Sequence, residues 1–118
     1  MYIVKDEINP GLSAETSYKL IEVKADKQPI GKNDSPKPFS THLISDKAEL
    51  LFLFTDGYAD QFGGERGKKF KYKPFQEMLF SIIDLPPQEQ HKILDEKIDA
   101  WRGDLEQNDD ICVIGIKL

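Results

Sequence analysis

The sequence predicts an α+β domain in which antiparallel sheet is flanked by helices, and three observations support this fold class. Strand-like segments separated by turns fill the first half of the chain, two amphipathic helices follow, and an apolar strand comes last. Successive strands joined by short turns favour antiparallel pairing, and strands that are segregated from helices are typical of α+β folds. The 118 residues show no internal repeat or linker, so we expect one domain at most.

Four candidate strands precede the helices. Residues 2–5 and 18–24 are short strand-like segments, and between them Asn9-Pro10-Gly11 is a turn signal. Residues 39–45 alternate apolar and polar side chains, which predicts a half-buried strand. After a predicted hairpin turn, residues 50–54 form an unbroken apolar run, which predicts a strand buried on both faces.

The second half of the chain begins with a predicted glycine-rich loop over residues 58–73. A helix is expected from Pro74, because proline favours the first helical turn. A second helix is expected to follow Pro87 and to end at Gly103, a glycine suited to the position after a helix. Residues 109–118 predict another strand that is apolar on both faces and therefore central. The apolar positions of the two helices are Phe75, Met78, Leu79, Ile82 and Ile83, then His91, Leu94, Ile98 and Trp101.

Composition excludes several classes of function. The chain has 16 basic and 21 acidic residues and a net charge of −5, which disfavours nucleic-acid binding. Its one cysteine, Cys112, rules out an intramolecular disulfide and is expected to be a small buried residue of the last strand. No apolar run approaches the roughly 20 residues of a membrane helix, and the N-terminus lacks signal-peptide features. We therefore expect a cytoplasmic protein without membrane contact.

Three carboxylates mark the ends of the two most apolar strands. Asp56 follows residues 50–54, whereas Asp109 and Asp110 begin the last strand. If these strands are antiparallel neighbours, the three acids meet at one edge of the sheet. Clustered like charges repel unless a cation lies between them, and oxygen ligands favour magnesium, manganese or calcium over zinc. The alternative is a strand-end turn in which Asp56 caps a loop; a carboxylate buried there would need a partner.

Three segments, in this order, resemble the metal-dependent serine/threonine protein phosphatases of type 2C (PPM), specifically the bacterial SpoIIE-like branch. The segment LFTDGYAD, from Leu53 to Asp60, resembles the branch's apolar strand with its T/S-D-G-x-x-D/E motif. The segment DDICVI, from Asp109 to Ile114, resembles its terminal acidic strand. Upstream, KQPIG from Lys27 to Gly31 resembles its P-L/I-G turn.

The resemblance implies an α-β-β-α sandwich of which residues 1–118 are the C-terminal portion. Phosphatases of this family carry an earlier aspartate and a glycine-histidine-glycine motif, and no Asp-Gly pair occurs before Asp56 here. The chain is therefore expected to lack the metal-bridging ligand and to be inactive by itself. In the intact domain, two Mn²⁺ or Mg²⁺ ions would activate water for attack on phosphoserine or phosphothreonine. Asp56 and Asp109 would be metal ligands, with Asp110 a less certain neighbour, and Asp60 would have no metal role.

The resemblance also implies partners. They are a phosphoprotein substrate, typically an anti-sigma-factor antagonist in this branch, and a preceding sensor or regulatory domain. Apolar sheet surface that has lost its cover further predicts a homodimer of this chain. The alternative function is a non-catalytic regulatory or interaction domain that keeps the phosphatase fold. A calcium-binding module is disfavoured, since no EF-hand spacing is present.

Overall fold

A computed structural model describes residues 1–7, 17–32, 34–35, 37–44 and 48–118. Within these ranges the chain forms six strands and three helices, in an order that confirms the predicted α+β class. The strands are β1 (Tyr2–Glu7), β2 (Ser17–Glu22), β3 (Ala48–Phe54), β4 (Phe62–Gly63), β5 (Lys68–Lys69) and β6 (Val113–Lys117). The helices are α1 (Gly57–Asp60), α2 (Tyr72–Ser81) and α3 (Pro87–Arg102).

The larger sheet has the strand order β2-β1-β3-β6, and the smaller one pairs β4 with β5. Strands β1 and β2 are antiparallel, from Tyr2 opposite Glu22 to Glu7 opposite Ser17. Strand β6 also runs antiparallel to β3, because Leu118 donates to the Glu49 carbonyl and Thr55 donates to the Cys112 carbonyl. The antiparallel arrangement predicted from the sequence is thus confirmed.

The chain divides into two compact units, and the first contains Met1–Leu51 together with Lys117–Leu118. In one apolar cluster of this unit, Met1, Ile21 and Val23 pack against the buried residues Ile3, Ala48 and Leu51. The Met1 ammonium group donates to the Val23 carbonyl at 3.1 Å, and the Val23 amide donates to the Met1 carbonyl at 2.8 Å. These bonds extend the β1–β2 pairing to the start of the chain.

The predicted strand over residues 39–45 is wrong for the residues described. Residues 39–44 have no regular structure and are exposed, with Leu43 at 96%. Alternation predicts a strand only where a neighbouring strand accepts the pairing, and here Ser40 is bonded to the side chain of Asp26 instead. The predicted turn at Asn9-Pro10-Gly11 and residues 45–47 lie outside the described residues. The hairpin turn predicted over residues 46–49 is wrong at Ala48 and Glu49, which belong to β3.

The second unit, Phe52–Ile116, contains an aromatic core. Tyr58 stacks on Phe75 with ring centroids 4.6 Å apart, and it meets the edge of Phe70 at 5.4 Å. Phe70 also packs edge-to-face against Trp101 at 5.4 Å. The Tyr58 hydroxyl donates to the Leu94 carbonyl at 2.8 Å, and burial raises the pKa of this phenol well above its usual range. Tyr58 therefore anchors α1 to both long helices.

The two long helices largely follow the sequence pattern. Helix α2 begins two residues before Pro74, and α3 begins at Pro87. Helix α3 ends where predicted, since Gly103 has a φ of 55° and donates to the Asp99 carbonyl at 2.9 Å. The expected apolar face of α3 needs one correction, because His91 is exposed. The adjacent Gln90 is buried and donates to the Leu85 carbonyl in the turn between α2 and α3.

Three further predictions about this unit are wrong, one of them only in part. The glycine-rich segment is not a simple loop, because it contains α1 and the β4–β5 hairpin. The prediction that β3 is buried on both faces holds for the successive residues Leu51 and Phe52, which are 7% and 1% exposed, but not for Leu53, which is 37% exposed. Strand β6 is not central but terminal in the described strand order, with Ile114 48% exposed, and Cys112 just before it is exposed rather than buried. An apolar residue is buried only where another element covers it, and the described residues leave Leu53 and Ile114 partly uncovered.

Candidate functional site

Asp56 lies between β3 and α1, at the position that precedes the first helical residue. Its side chain is exposed and makes no capping hydrogen bond to α1, so the simple capping role is not supported. Its carbonyl accepts the amide of Asp60 at 2.9 Å, which closes the single helical turn. The expectation that a buried Asp56 would need a partner does not apply, because water reaches this carboxylate.

Asp109 and Asp110 lie in the irregular segment that leads into β6, and both are exposed. The Asp109 carboxylate accepts the amide of Asp110 at 2.7 Å, and the Asp109 carbonyl accepts the side-chain amide of Gln107 at 2.8 Å. These bonds restrain the backbone on both sides of Asp109.

The structure brings the two acidic segments together. The Thr55 hydroxyl donates to the Asp110 carbonyl at 2.7 Å and accepts the Cys112 amide at 3.0 Å, while the Thr55 amide donates to the Cys112 carbonyl at 3.1 Å. We call residues 55–57 and 109–112 the acidic edge. Its existence follows from the antiparallel pairing of β3 and β6, and the predicted meeting of the strand ends is therefore found.

Gly57 permits this close approach. A Cβ atom at position 57 would collide with the Asp110 carbonyl oxygen and would lie 2.9 Å from the carbonyl carbon. The glycine of the T-D-G motif is thus required by the packing of one acidic segment on the other. A side chain there would force Asp110 away from the strand end that carries Asp56.

Gln61, which the sequence analysis did not single out, is fully buried and bonds to the segment that precedes Asp109. Its side-chain amide bonds to Glu106 and Asn108, and its carbonyl accepts the indole N–H of Trp101 at 3.0 Å. A glutamine in a polar, glycine-rich stretch carries no periodic signal that separates burial from exposure. The only clue in the sequence is its position between the apolar residues Ala59 and Phe62.

Asp60 has a different environment from the other three acids. Its carboxylate pairs with the Lys69 ammonium at 3.0 Å, and the same ammonium lies 5.9 Å from the centre of the Phe62 ring. Both charged side chains are almost half exposed, so solvent screens this pair and its contribution to stability is small. The ion pair connects the end of α1 to β5, which is a structural use for the last acid of the motif.

The residues of the acidic edge do not by themselves fit a complete metal centre. Within the part of the chain that the structure describes, no three histidine, cysteine, aspartate or glutamate residues are grouped so as to hold an ion. Hard cations such as Mg²⁺ take about six oxygen ligands. The metal roles of Asp56, Asp109 and Asp110 therefore stay predictions.

Comparison with known proteins addresses the fold and the family. The chain is similar to the SiaA-PP2C domain of Pseudomonas aeruginosa, with a TM-score of 0.59 and 22% identity. The match covers 99% of this chain and 43% of the other, so this chain spans less than half the length of that structure. At this identity the likeness shows a PP2C-type fold. No curated protein matches the chain.

Among the described residues, none of the helices combines the length and the hydropathy that a membrane span requires.

The family model for Stage II sporulation protein E (SpoIIE) matches residues 7–118, which is nearly the whole sequence. This range includes both segments of the acidic edge. The chain therefore belongs to the SpoIIE family of type 2C-like phosphatase domains.

Proposed function

We propose that the chain is the C-terminal part of a phosphatase domain that hydrolyses phosphoserine or phosphothreonine in a signalling protein. Asp56 and Asp109 act at its metal-dependent centre, and Asp110 is an adjoining acid. The observation that carries the proposal is the pairing of the two acidic segments through Thr55 and Gly57. A turn that served only to connect elements would not need two exposed acidic segments fixed against each other.

The proposed ions are Mn²⁺ or Mg²⁺, and they require oxygen ligands beyond those of the acidic edge. Two carboxylate segments leave such ions mostly hydrated, and Mg²⁺ releases water reluctantly. Calorimetry on the 118-residue chain is expected to give affinity of about millimolar or weaker. Micromolar affinity would contradict the need for further ligands, and variants of Asp110 and Asp60 would then identify the additional carboxylates.

Activity is the direct test of the proposed function. The chain alone is expected to show no useful hydrolysis of p-nitrophenyl phosphate with Mn²⁺, whereas a protein containing the complete domain hydrolyses it. In that protein Asp56→Ala is expected to abolish turnover, and the exposed control Asp104→Ala leaves it intact. Turnover by the chain alone that matches an intact family member, and that Asp56→Ala removes, would contradict the requirement for the rest of the domain.

The proposed partners are a phosphoprotein, with an anti-sigma-factor antagonist as the first candidate, and a sensor or regulatory domain that controls the phosphatase. Release of phosphate from the phosphorylated antagonist by the complete domain tests the first of these. If the complete domain hydrolyses p-nitrophenyl phosphate but leaves the phosphorylated antagonist intact, the substrate is a different phosphoprotein.

A second copy of the chain is the proposed cover for an apolar sheet face in the second unit. Leu53 lies opposite Ile114 in the β3–β6 register, and Leu53, Ile114 and Ile116 are 37%, 48% and 38% exposed. Contiguous apolar patches on soluble monomers are usually small. Light scattering at micromolar concentration is expected to show a dimer that Ile114→Lys dissociates. A monodisperse monomer of 13.5 kDa would contradict dimerisation.

The second candidate function is a non-catalytic regulatory domain that keeps the phosphatase fold. It is favoured by the incomplete ligand set of the described residues. The coding sequence before Met1 separates the two functions. An in-frame segment resembling Asp-Gly-His-Gly supports the enzyme, and a complete upstream half that lacks it supports the regulatory domain.

A further inference from the structure

We propose that Gln61 is a positioning residue whose buried amide fixes the path of residues 106–109 and so the place of Asp109 relative to Asp56. This inference rests on the proposed function, in which both carboxylates act at one centre. It assigns a task to a residue outside the acidic motifs, five positions after Asp56.

Both the oxygen and the nitrogen of the Gln61 side-chain amide form hydrogen bonds. Its oxygen accepts the Asn108 amide at 3.3 Å, and its nitrogen donates to the Glu106 carbonyl at 3.0 Å. The same nitrogen donates to the Phe62 carbonyl at 3.0 Å and lies 3.4 Å from the side-chain oxygen of Asn108. Only an amide offers a donor and an acceptor with this reach, so a carboxylate or an apolar side chain cannot reproduce the set.

The backbone of Gln61 is held as firmly as its side chain. Its carbonyl accepts the Trp101 indole N–H at 3.0 Å and the Phe70 amide at 2.9 Å. Trp101 belongs to α3 and Phe70 follows β5, and both pack in the aromatic core. The amide therefore projects from a rigid support.

Residues 106–112, which we call the connector, have no regular secondary structure. Side chains from elsewhere in the second unit bond to the connector at two places. Gln61 bonds to backbone groups of Glu106 and Asn108, and Thr55 bonds to those of Asp110 and Cys112. Two polar side chains thus hold this irregular segment at two places, and Asp109 lies between them.

Gln61→Met tests the proposal, because methionine has nearly the same length and removes every side-chain hydrogen bond. Gln90→Met is the matched control. Gln90 is the other buried glutamine of the described residues, and it donates to the Leu85 and Ile83 carbonyls at 2.9 and 3.3 Å. Both variants lose buried hydrogen bonds to backbone, but only Gln61 bonds to the connector before Asp109.

The first readout is amide hydrogen exchange and amide chemical shift by NMR, which needs no metal. In Gln61→Met, exchange of the Asn108 amide is expected to accelerate about tenfold or more, and the Asp109 and Asp110 signals to shift. In Gln90→Met these signals stay at their wild-type positions. If Gln61→Met moves residues 106–110 no more than Gln90→Met does, Gln61 is an ordinary core residue and the proposal is overturned.

The second readout uses Mn²⁺ alone as a paramagnetic probe. In the wild-type chain we expect Mn²⁺ to broaden the amide signals near Asp56 and Asp109 with one common midpoint. Gln61→Met should separate the two midpoints by about threefold or more, and Gln90→Met should leave them together. If Mn²⁺ broadens neither segment in wild type while Gln61→Met still displaces residues 106–110, the proposed metal-dependent function fails and the connector geometry stands. Coincident midpoints in Gln61→Met would overturn the positioning role.

Discussion

Two irregular segments use the same kinds of side-chain hydrogen bond in different surroundings: the loop of residues 24–32, 34–35 and 37–44, and residues 106–112. In the first, the Asp26 carboxylate accepts the Ser40 amide and hydroxyl at 2.6 and 2.8 Å, and the Gln28 amide bonds to the backbone of Lys37. In the second, Thr55 and Gln61 bond to backbone groups of the connector. The hydrogen bonds of the first segment join residues within that segment. Those of the second join it to residues about 50 positions earlier in the chain.

The two segments also differ in the burial of the side chains that bond to them. The described side chains of the first loop are exposed apart from the partly buried Gln28, and the apolar residues Ile30 and Leu43 are 94% and 96% exposed. The connector instead lies against the fully buried Gln61, which is backed by Trp101. A hydrogen bond exposed to water adds little to stability, whereas a buried group left unpaired costs about 1–3 kcal/mol. We therefore expect the largest losses where a buried residue of the site is changed, as at Gly57 or Gln61, smaller losses at the exposed Thr55, and nearly silent substitutions in the loop.

The largest effect is expected for Gly57→Ala. The new methyl group would collide with the Asp110 carbonyl, and backbone on both sides must shift, which costs about 3 kcal/mol of unfolding free energy. Urea denaturation measures this loss. The control is Gly67→Ala, where a Cβ meets nothing within 4 Å but φ is +53°, so backbone conformation alone costs about 1 kcal/mol. Equal losses in the two variants would show that the close packing at Gly57 is unimportant.

Thr55→Val should have the next largest effect. Valine keeps the shape of threonine but leaves the Asp110 carbonyl and the Cys112 amide without their hydroxyl partner. Thr55 is exposed, so water replaces part of the loss and we expect about 1 kcal/mol. Thr55→Ser keeps the hydroxyl and is expected to retain most of the stability. If valine and serine are equivalent in denaturation experiments, the hydroxyl does not hold the acidic edge together.

A substitution at Lys71 is expected to raise the stability of the protein, in contrast to the losses above. Its φ of 77° and ψ of 155° lie in a region that almost only glycine occupies, and its amide donates to the Ala59 carbonyl at 2.7 Å. Lys71→Gly relieves the strain and is expected to stabilise the protein by about 1 kcal/mol. Lys73→Gly, two residues into α2, is expected to destabilise it by a similar amount, since glycine is a poor helix former. A loss of thermal stability in Lys71→Gly would mean that the lysine side chain contributes more than the strain costs.

The sequence predicted what depends on local chemistry and on strand pairing. Apolar runs, glycine conformation and antiparallel geometry predicted strand β3, the end of α3 at Gly103 and the pairing of Thr55 with the segment of Asp110. Burial was predicted less well, because it depends on what covers a residue. Cys112 and Ile114 are apolar and yet exposed, whereas Gln61 is polar and fully buried. No periodicity identifies an amide whose partners lie 45 and 47 positions later.

The smallest effect is expected in the exposed loop, at Asp26. The Ser40 amide, and then the Ser40 hydroxyl, lower the pKa of this carboxyl below its ordinary value of 3.8. A carboxylate with a lowered pKa stabilises the folded loop above pH 3.8, and this contribution is lost as pH falls through the folded pKa. NMR titration should therefore give a midpoint below 3.8 in wild type. Ser40→Ala should raise the midpoint only part of the way, because the backbone amide is the larger cause.

Thr41→Ala is the control for this titration, since Thr41 is exposed in the same loop and next to Ser40. It should leave the Asp26 midpoint at the wild-type value. The unfolding free energy of Ser40→Ala at pH 7 should fall only slightly below that of wild type, because the bonded groups are solvated and water replaces most of the lost hydroxyl. A loss as large as that of Thr55→Val would mean that the loop is held as firmly as the acidic edge. The contrast between the two segments would then lie in their sequence separation and not in their burial.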